Sequence, residues 1–278
     1  MFLLNFEGLT YAKTESTSPL IFITGVRDLS SREEEIRIVL ELKRLFDRAG
    51  FPFIYKMTTP NTEAEAIRME RLRTIREHIH VPVAVQLSDT IQPERTAPFA
   101  DVFMLEQGTA GMKEILAKVG RLGKPLILGK DLYTFSRDVS DLVTLAKNSG
   151  VEQFALCERG TSFGYDDLVV DMRSISIMQE TAPVFFNASY SFSLPQVEAG
   201  FFDLSHKVSM SSVAFGAAAL GLAGIIMDIL PNEKLSDFRA HGMLTLGALP
   251  GFLKHIYEID YYAKAVVPAF HSRNKEVL

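Results

Sequence analysis

Eight short apolar runs recur along the chain, and several lack the alternation of a half-solvated strand. They are LIFITGV (20–26), FPFIYKM (51–57), VPVAVQL (81–87), DVFMLE (101–106), PLILGK (125–130), QFALCER (153–159), PVFFNAS (183–189) and GIIMDIL (224–230). Runs that are apolar on both faces suit strands covered on both sides, as in a parallel sheet wrapped by helices. The stretches between them carry helical spacing. The clearest opens with a capping-box pattern, Ser31 with Glu34, and places Ile36, Val39, Leu40 and Leu45 on one face. Further helices are expected at 63–79, 109–121, 137–149, 165–180, 206–221 and 243–256, with a weak one near 92–99 between Pro93 and Pro98. Eight strand–helix units predict an α/β fold, a (β/α)8 TIM barrel. A doubly wound open sheet is the alternative, but no G-x-G-x-x-G follows the first run. The chain reads as one barrel domain, 1–278. Its leading residues 1–19 form an extension whose MFLLNFEGLTYAK is a small hairpin closing the barrel floor, and HSRNKEVL (271–278) is a frayed tail.

Composition narrows the partners. The chain of 278 residues is 47% hydrophobic, with a net charge of −5 and a pI near 5.7. An acidic balance argues against a general nucleic-acid binder. The single cysteine, Cys157, rules out an internal disulfide and a CxxC metal site and suits a reducing compartment. The longest apolar run, Val213 to Met227, contains three glycines and falls short of the ~20 residues of a spanning helix. The sequence reads as a soluble cytoplasmic protein with no membrane and no nucleic-acid partner.

In such barrels the chemistry sits where the strands end at their C-terminal side. Taken in order, those ends carry Arg27, Lys56, Gln86, Glu106, Lys130, Arg159, Asn187 with Tyr190, and Asp228. Four of the eight ends bear a cation in an acidic chain. Lys56, Lys130 and Arg159 converging at one mouth suit a phosphate or carboxylate ligand. The backbone N–H groups of Gly160 to Ser162, ahead of a helix start, add donors. The plainer alternative for any one of these residues is a solvated charge or a pair with a neighbouring carboxylate. Cys157 lies inside a strand and reads as core rather than nucleophile. His78 and His80 precede the third strand on the barrel floor and read as surface histidines.

The run LCERGTSFGYDDLVVDMRS (156–174) closely resembles the signature of the 3-deoxy-D-manno-octulosonate 8-phosphate (Kdo8P) synthases, a family grouped with the class I DAHP synthases. GFPFIYKM, HVPVAVQ, KPLILGK, NASYSFSLP, GLAGIIMDILPN and KLSD extend the likeness over roughly residues 20 to 250. The resemblance implies a (β/α)8 barrel that condenses phosphoenolpyruvate with arabinose 5-phosphate. Carbon 3 of phosphoenolpyruvate attacks the aldehyde, water adds at carbon 2, and phosphate leaves. It implies that Arg159 and Lys130 grip phosphoenolpyruvate, that Lys56 is the first lysine after the second strand, and that the protein is a homo-oligomer.

The same comparison implies departures. After the second strand the family runs K-A-S-F-D-K-A-N-R-S-S, where this chain has KMTTPNTEAEA. Asn61 then stands for the second lysine, and Glu63 and Ala64 for the asparagine and the arginine that grips the sugar phosphate. Some relatives hold a divalent metal with Cys, His, Glu and Asp. Those positions correspond to Arg27, Tyr190, Asp228 and the retained Asp237, and Arg27 is placed to pair with the aspartates. Lys207, in LSHKV, is nearest the arginine of a further family loop. Two readings stay open. One is a divergent relative that binds phosphoenolpyruvate or a similar small anion through Lys56, Lys130, Arg159, Lys207 and Asn187, with a broken metal site and no cofactor. The other is an active synthase, with Lys56, Lys130 and Arg159 as its catalytic set and an altered acceptor. The departures favour the first.

Overall fold

The computed structural model describes residues 2–6, 9–13, 18–27, 29, 31–57, 65–88, 91, 93–163, 168–192, 210–231 and 243–266. The chain opens with an antiparallel pair, β1 (Phe2–Phe6) and β2 (Leu9–Lys13), the expected hairpin. Then follow β3 (Ile21–Val26), α1 (Arg32–Ala49), β4 (Phe53–Met57), α2 (Glu65–His78), β5 (Val83–Gln86), a short α3 (Pro93–Thr96), β6 (Val102–Glu106) and α4 (Met112–Leu122). The second half continues with β7 (Leu126–Gly129), α5 (Val139–Asn148), β8 (Phe154–Glu158), α6 (Met172–Gln179), β9 (Val184–Asn187), α7 (Met210–Ala218), β10 (Gly224–Leu230), β11 (Leu244–Thr245) and α8 (Leu249–Tyr261). Strands β3 to β10 pair in parallel in chain order, and β10 bonds both β9 and β3, so the sheet closes. The architecture is the expected (β/α)8 barrel. Its eight strands are those read from the eight apolar runs; β11 adds a two-residue pairing against the end of β10.

Strand side chains alternate between two apolar layers. One cluster fills the lumen: Ile21, Ile23, Ile54, Met104, Ile127, Ala155, Cys157, Phe185 and Ile226 among others. The other lies between strands and helices. There Phe46 of α1 stacks on Phe53 of β4 at 4.9 Å, and Phe22 packs 5.0 Å from Phe46 and from Phe51. Both faces of each strand are buried, which is why the runs are apolar without alternation. Gly224 begins β10 because nothing larger fits: a Cβ there would lie 2.2 Å from the Ile21 carbonyl oxygen and 2.3 Å from the Phe185 ring.

Two sequence expectations need correction. The Ser31 N-cap forms, with Glu34 N–H donating to Ser31 Oγ at 3.1 Å. The fully buried face of α1, however, is Glu35, Ile38, Val39, Leu42 and Phe46; Ile36, Leu40 and Leu45 are only half-buried beside it. A carboxylate takes a core position because Tyr55 and Arg71 meet it there. Two helices also start later than expected: α6 at Met172 rather than 165, and α8 at Leu249 rather than 243, with β11 taking Leu244–Thr245 and α8 running on to Tyr261. Thr161 and Val169 pair as an isolated bridge, and α6 begins after Asp171, whose carboxylate accepts from Arg173 N–H. The bridge holds the backbone extended where the apolar spacing suggested a helix.

Candidate functional site

The phase of each strand decides which end residues reach the lumen. Lys56, Glu106, Arg159, Asn187 and Asp228 each lie two residues beyond a lumen-packed side chain: Ile54, Met104, Cys157, Phe185 and Ile226. Arg27 follows Ile23 in the same phase, four residues on. Tyr55, Lys130 and Glu158 fall in the opposite phase, toward the helices, in line with Phe53, Leu128 and Leu156 of the outer layer. All these residues stand at the C-terminal end of the barrel strands; Tyr55 and Glu158 were not among the strand-end residues read from the sequence.

Each cation there has a carboxylate. Asp228 is 3% exposed and receives two of them. Lys56 Nζ lies 2.6 Å from Asp228 Oδ1, and Arg27 Nε donates to Oδ2 at 3.0 Å. The backbone N–H of Asp228 donates to Ser189 Oγ at 2.8 Å. Burial alone would raise the carboxyl pKa; Lys56, and after it Arg27, outweigh burial and hold Asp228 below the ordinary aspartate range. Its carboxylate is therefore charged throughout the neutral range.

Separated from Asp228 by β9, Arg159 at the end of β8 is 5% exposed. Its Nε donates to the Lys130 carbonyl at 3.0 Å, and one terminal amine donates to Glu106 Oε2 at 2.5 Å. The Tyr190 ring covers one face of the guanidinium at 4.4 Å, a cation–π contact. Tyr190 is held in turn by its backbone N–H, which donates to Asn187 Oδ1 at 3.1 Å. Asn187 thus acts locally as a cap for the turn after β9.

Lys130 reaches this end of the barrel but serves the outer layer. It is 1% exposed, and its Nζ donates to the carbonyls of Asp131 (3.2 Å) and Gly160 (3.3 Å) and lies 3.6 Å from Glu158 Oε2. Glu158 also accepts from the backbone N–H groups of Arg159 (3.1 Å) and Gly160 (2.6 Å) and from Ser174 Oγ of α6 (3.1 Å). Gly160 sits at φ +102°, a conformation that suits glycine and turns two successive N–H groups onto one carboxylate. Burial raises the pKa of Glu158, opposed first by Lys130. All three N–H groups of the small-residue turn expected to add ligand donors are thus committed internally: Gly160 to Glu158, Thr161 to the Val169 carbonyl at 2.9 Å and Ser162 to the Leu132 carbonyl at 3.3 Å.

Strand phase was the signal that separates Lys130 and Glu158 from Lys56 and Arg159. The partner role of Glu106, two strand ends before Arg159 in the chain, carried no local signal at all. Cys157 packs in the lumen at 3% exposure, and burial pushes its thiol up to about 12, as a core residue. Lys207, Asp237, Asn61, Glu63 and Ala64 lie outside the described residues. Among the described residues no group of three or more His, Cys, Asp or Glu side chains is placed to hold a metal ion. No described helix is long and apolar enough to cross a membrane.

Comparison with known proteins agrees with this architecture. The model of the DAHP synthetase I family matches residues 14–265. A protein of Thioalkalivibrio sulfidiphilus named 2-dehydro-3-deoxyphosphooctonate aldolase is 30% identical over 232 residues, covering 79% of this chain and 82% of its own. Proteins of the same name from Stenotrophomonas maltophilia (28% over 257 residues, 88% of this chain and 93% of the relative) and Acidithiobacillus ferrooxidans (29% over 259 residues, 88% and 91%) align similarly. With a family match over most of its length and a barrel that carries the family signature at the end of β8, the chain belongs to the DAHP synthetase I family, the group of the Kdo8P and DAHP synthases.

Proposed function

We propose that the barrel mouth binds phosphoenolpyruvate or a similarly small phosphorylated or carboxylated anion, gripped from the Arg159 side, and that its aldose-phosphate side is altered. One observation carries this reading. The lumen-facing strand ends bring together three cations, Arg27, Lys56 and Arg159, against two carboxylates, Asp228 and Glu106. A positive surplus in a concave, partly desolvated mouth favours an anion, and the planar guanidinium fork suits phosphate or carboxylate oxygens. Lys130 supports the grip from behind, by its carbonyl on Arg159 Nε.

Some relatives are expected to hold a divalent cation here, and this donor set does not fit one. Of the four positions implied by the resemblance, Arg27 brings a guanidinium to Asp228, and Tyr190 turns its ring onto Arg159. A cation beside Asp228 would meet two resident positive charges within contact distance of the same carboxylate. Arg27 supplies the fixed positive charge on this side.

A second reading is an active condensation of phosphoenolpyruvate with an aldose phosphate. It is favoured by the relatives named 2-dehydro-3-deoxyphosphooctonate aldolase, at 28–30% identity over most of the chain. On that reading Arg159 and Lys56 bind and orient the anionic groups around the reacting carbons, and stabilise charge that develops as phosphate leaves.

Calorimetry with phosphoenolpyruvate tests the first reading. Arg159→Ala removes a charge-assisted donor set and is expected to weaken binding by roughly 1.5–3 kcal/mol, on the order of tenfold to a hundredfold. Undetectable binding to the unmodified protein sinks the proposal. A phosphate-release assay with phosphoenolpyruvate and a panel of free and phosphorylated aldoses separates the readings: robust turnover with arabinose 5-phosphate establishes the second.

A further inference from the structure

The Glu106–Arg159 contact differs from the other ion pairs at the strand ends. Asp228 and Glu158 are buried and each takes several partners, so neither is free to leave. The Glu106 side chain is 38% exposed, while that of Arg159 is 6% exposed. Arg159 has already committed Nε to the Lys130 carbonyl and one ring-like face to Tyr190. The terminal amines remain to face the lumen, and Glu106 holds one of them.

The bridge spans a whole strand. Glu106 ends β6, Arg159 follows β8, and β7 lies between them, with Glu106 opposite Gly129 and Gly129 opposite Cys157. Gly129 occupies a lumen-facing position, in phase with Ile127, and has no side chain to fill it. A Cβ at 129 would lie 3.5 Å from Glu106 Cγ, in contact with it, so the Glu106 side chain passes directly over Gly129. With no side chain on Gly129, nothing on β7 stands between the carboxylate and the guanidinium at this level of the lumen.

We propose that Glu106 is a resident competitor for Arg159: a carboxylate that occupies the anion-binding edge of the guanidinium in the ligand-free protein and that an incoming anion displaces. This rests on the anion site proposed above. The physical logic has two sides. A nearly buried guanidinium with no counter-charge is costly, so the empty mouth needs an internal anion. An exposed carboxylate is easily rehydrated when it swings away, so the same pair does not lock the site. Every anion that binds must first break the Glu106 contact, which lowers the apparent affinity for all of them by a common factor and sets the concentration at which the mouth fills.

Titration of the full chain with inorganic phosphate and with phosphoenolpyruvate, by calorimetry, tests this on the unmodified protein, Glu106→Ala and Glu106→Gln, with thermal melts to establish that each is folded. Glu106→Ala is expected to bind both anions about tenfold more tightly, the equivalent of one charge-assisted contact no longer broken on binding. Glu106→Gln keeps the shape and removes the charge, and is expected to gain in the same direction by a smaller factor. If Glu106 instead merely holds Arg159 in position, Glu106→Ala binds more weakly and Glu106→Gln is unchanged. Binding by the unmodified protein with no gain in either variant overturns this inference and leaves the anion site standing. No binding by any of the three proteins overturns both.

Discussion

Tyr55 and Lys56 are neighbours in β4 and belong to two different polar systems. Tyr55 points to the helices, where its hydroxyl donates to Glu35 Oε1 at 2.5 Å and Arg71 donates to the same carboxylate from 2.9 and 3.3 Å. Lys56 points to the lumen and meets Asp228. Glu158 and Arg159 divide in the same way, one toward α6 and one toward the mouth. The outer sets join elements: Glu35, Tyr55 and Arg71 tie α1, β4 and α2, while Lys130, Glu158 and Ser174 tie the ends of β7 and β8 to α6. Their key members are sealed, with Glu35, Tyr55, Lys130 and Glu158 all at 2% exposure or less. The lumen sets include partly exposed members, Arg27 at 44% and Glu106 at 38%. Adjacent polar residues on one strand thus belong to different sets, one sealed between strand and helices and one at the mouth with partly exposed members.

The largest effect expected from breaking this contrast is at Glu35. Glu35→Ala strands a buried tyrosine hydroxyl and a guanidinium at once and is expected to cost about 3–5 kcal/mol of stability in urea unfolding. Under conditions where the variant is folded, its affinity for phosphate should match that of the unmodified protein. A small stability loss would show that the outer set is not the fastening it is taken for here.

Lys130 sharpens the comparison, since sequence alone groups it with Arg159. Lys130→Met leaves Glu158 without its cation and is expected to lose about 3 kcal/mol, while Lys130→Met with Glu158→Gln recovers much of it, because an uncompensated buried charge costs more than a missing pair. Phosphate affinity is expected to fall less in the double variant than in Arg159→Ala. A loss of affinity equal to that of Arg159→Ala, with stability unchanged, would move Lys130 into the ligand site.

The smallest effect concerns pH. Burial first, and Glu35 second, raise the Tyr55 phenol well above its usual value of 10.0. A pKa raised in the folded state contributes stability that is complete below about pH 10 and is lost as pH rises toward the folded pKa. Asp228, with a depressed pKa, acts in the opposite window: its contribution is present above the ordinary aspartate range and is lost as pH falls through the folded value. Tyr55→Phe is therefore expected to lower stability by roughly 0.5–1.5 kcal/mol at neutral pH, through the lost hydrogen bond, and to flatten the decline between pH 9.5 and 11. Melts across that range that fall identically in both proteins would place the alkaline loss elsewhere.

Much was legible in the sequence because it was local. Eight apolar runs give eight barrel strands, since a strand buried on both faces has no polar side to show. Ser31 with Glu34 gives a helix start, since a cap is satisfied within one turn. The run from Leu156 to Ser174 gives the family and the position of Arg159 at the mouth. The pairing of charges was legible only in part. Lys56 and Lys130 look alike as lysines at strand ends, and one residue of strand phase sends the first to the lumen and the second to the helices. Glu35 looks like a solvent-facing residue of an amphipathic helix until Tyr55 and Arg71, 20 and 36 residues away in the chain, arrive beside it.

What the sequence by itself determined is the barrel, its family and which end bears the charge, because hydrophobic periodicity and a long contiguous motif are properties of neighbouring residues. What only the tertiary structure decided is which carboxylate answers which cation. Glu106 and Arg159 are 53 residues apart, and they meet because parallel pairing sets β6, β7 and β8 side by side with Gly129 between them. Electrostatic partnership depends on distance through space and on burial, and neither is written in the order of the chain.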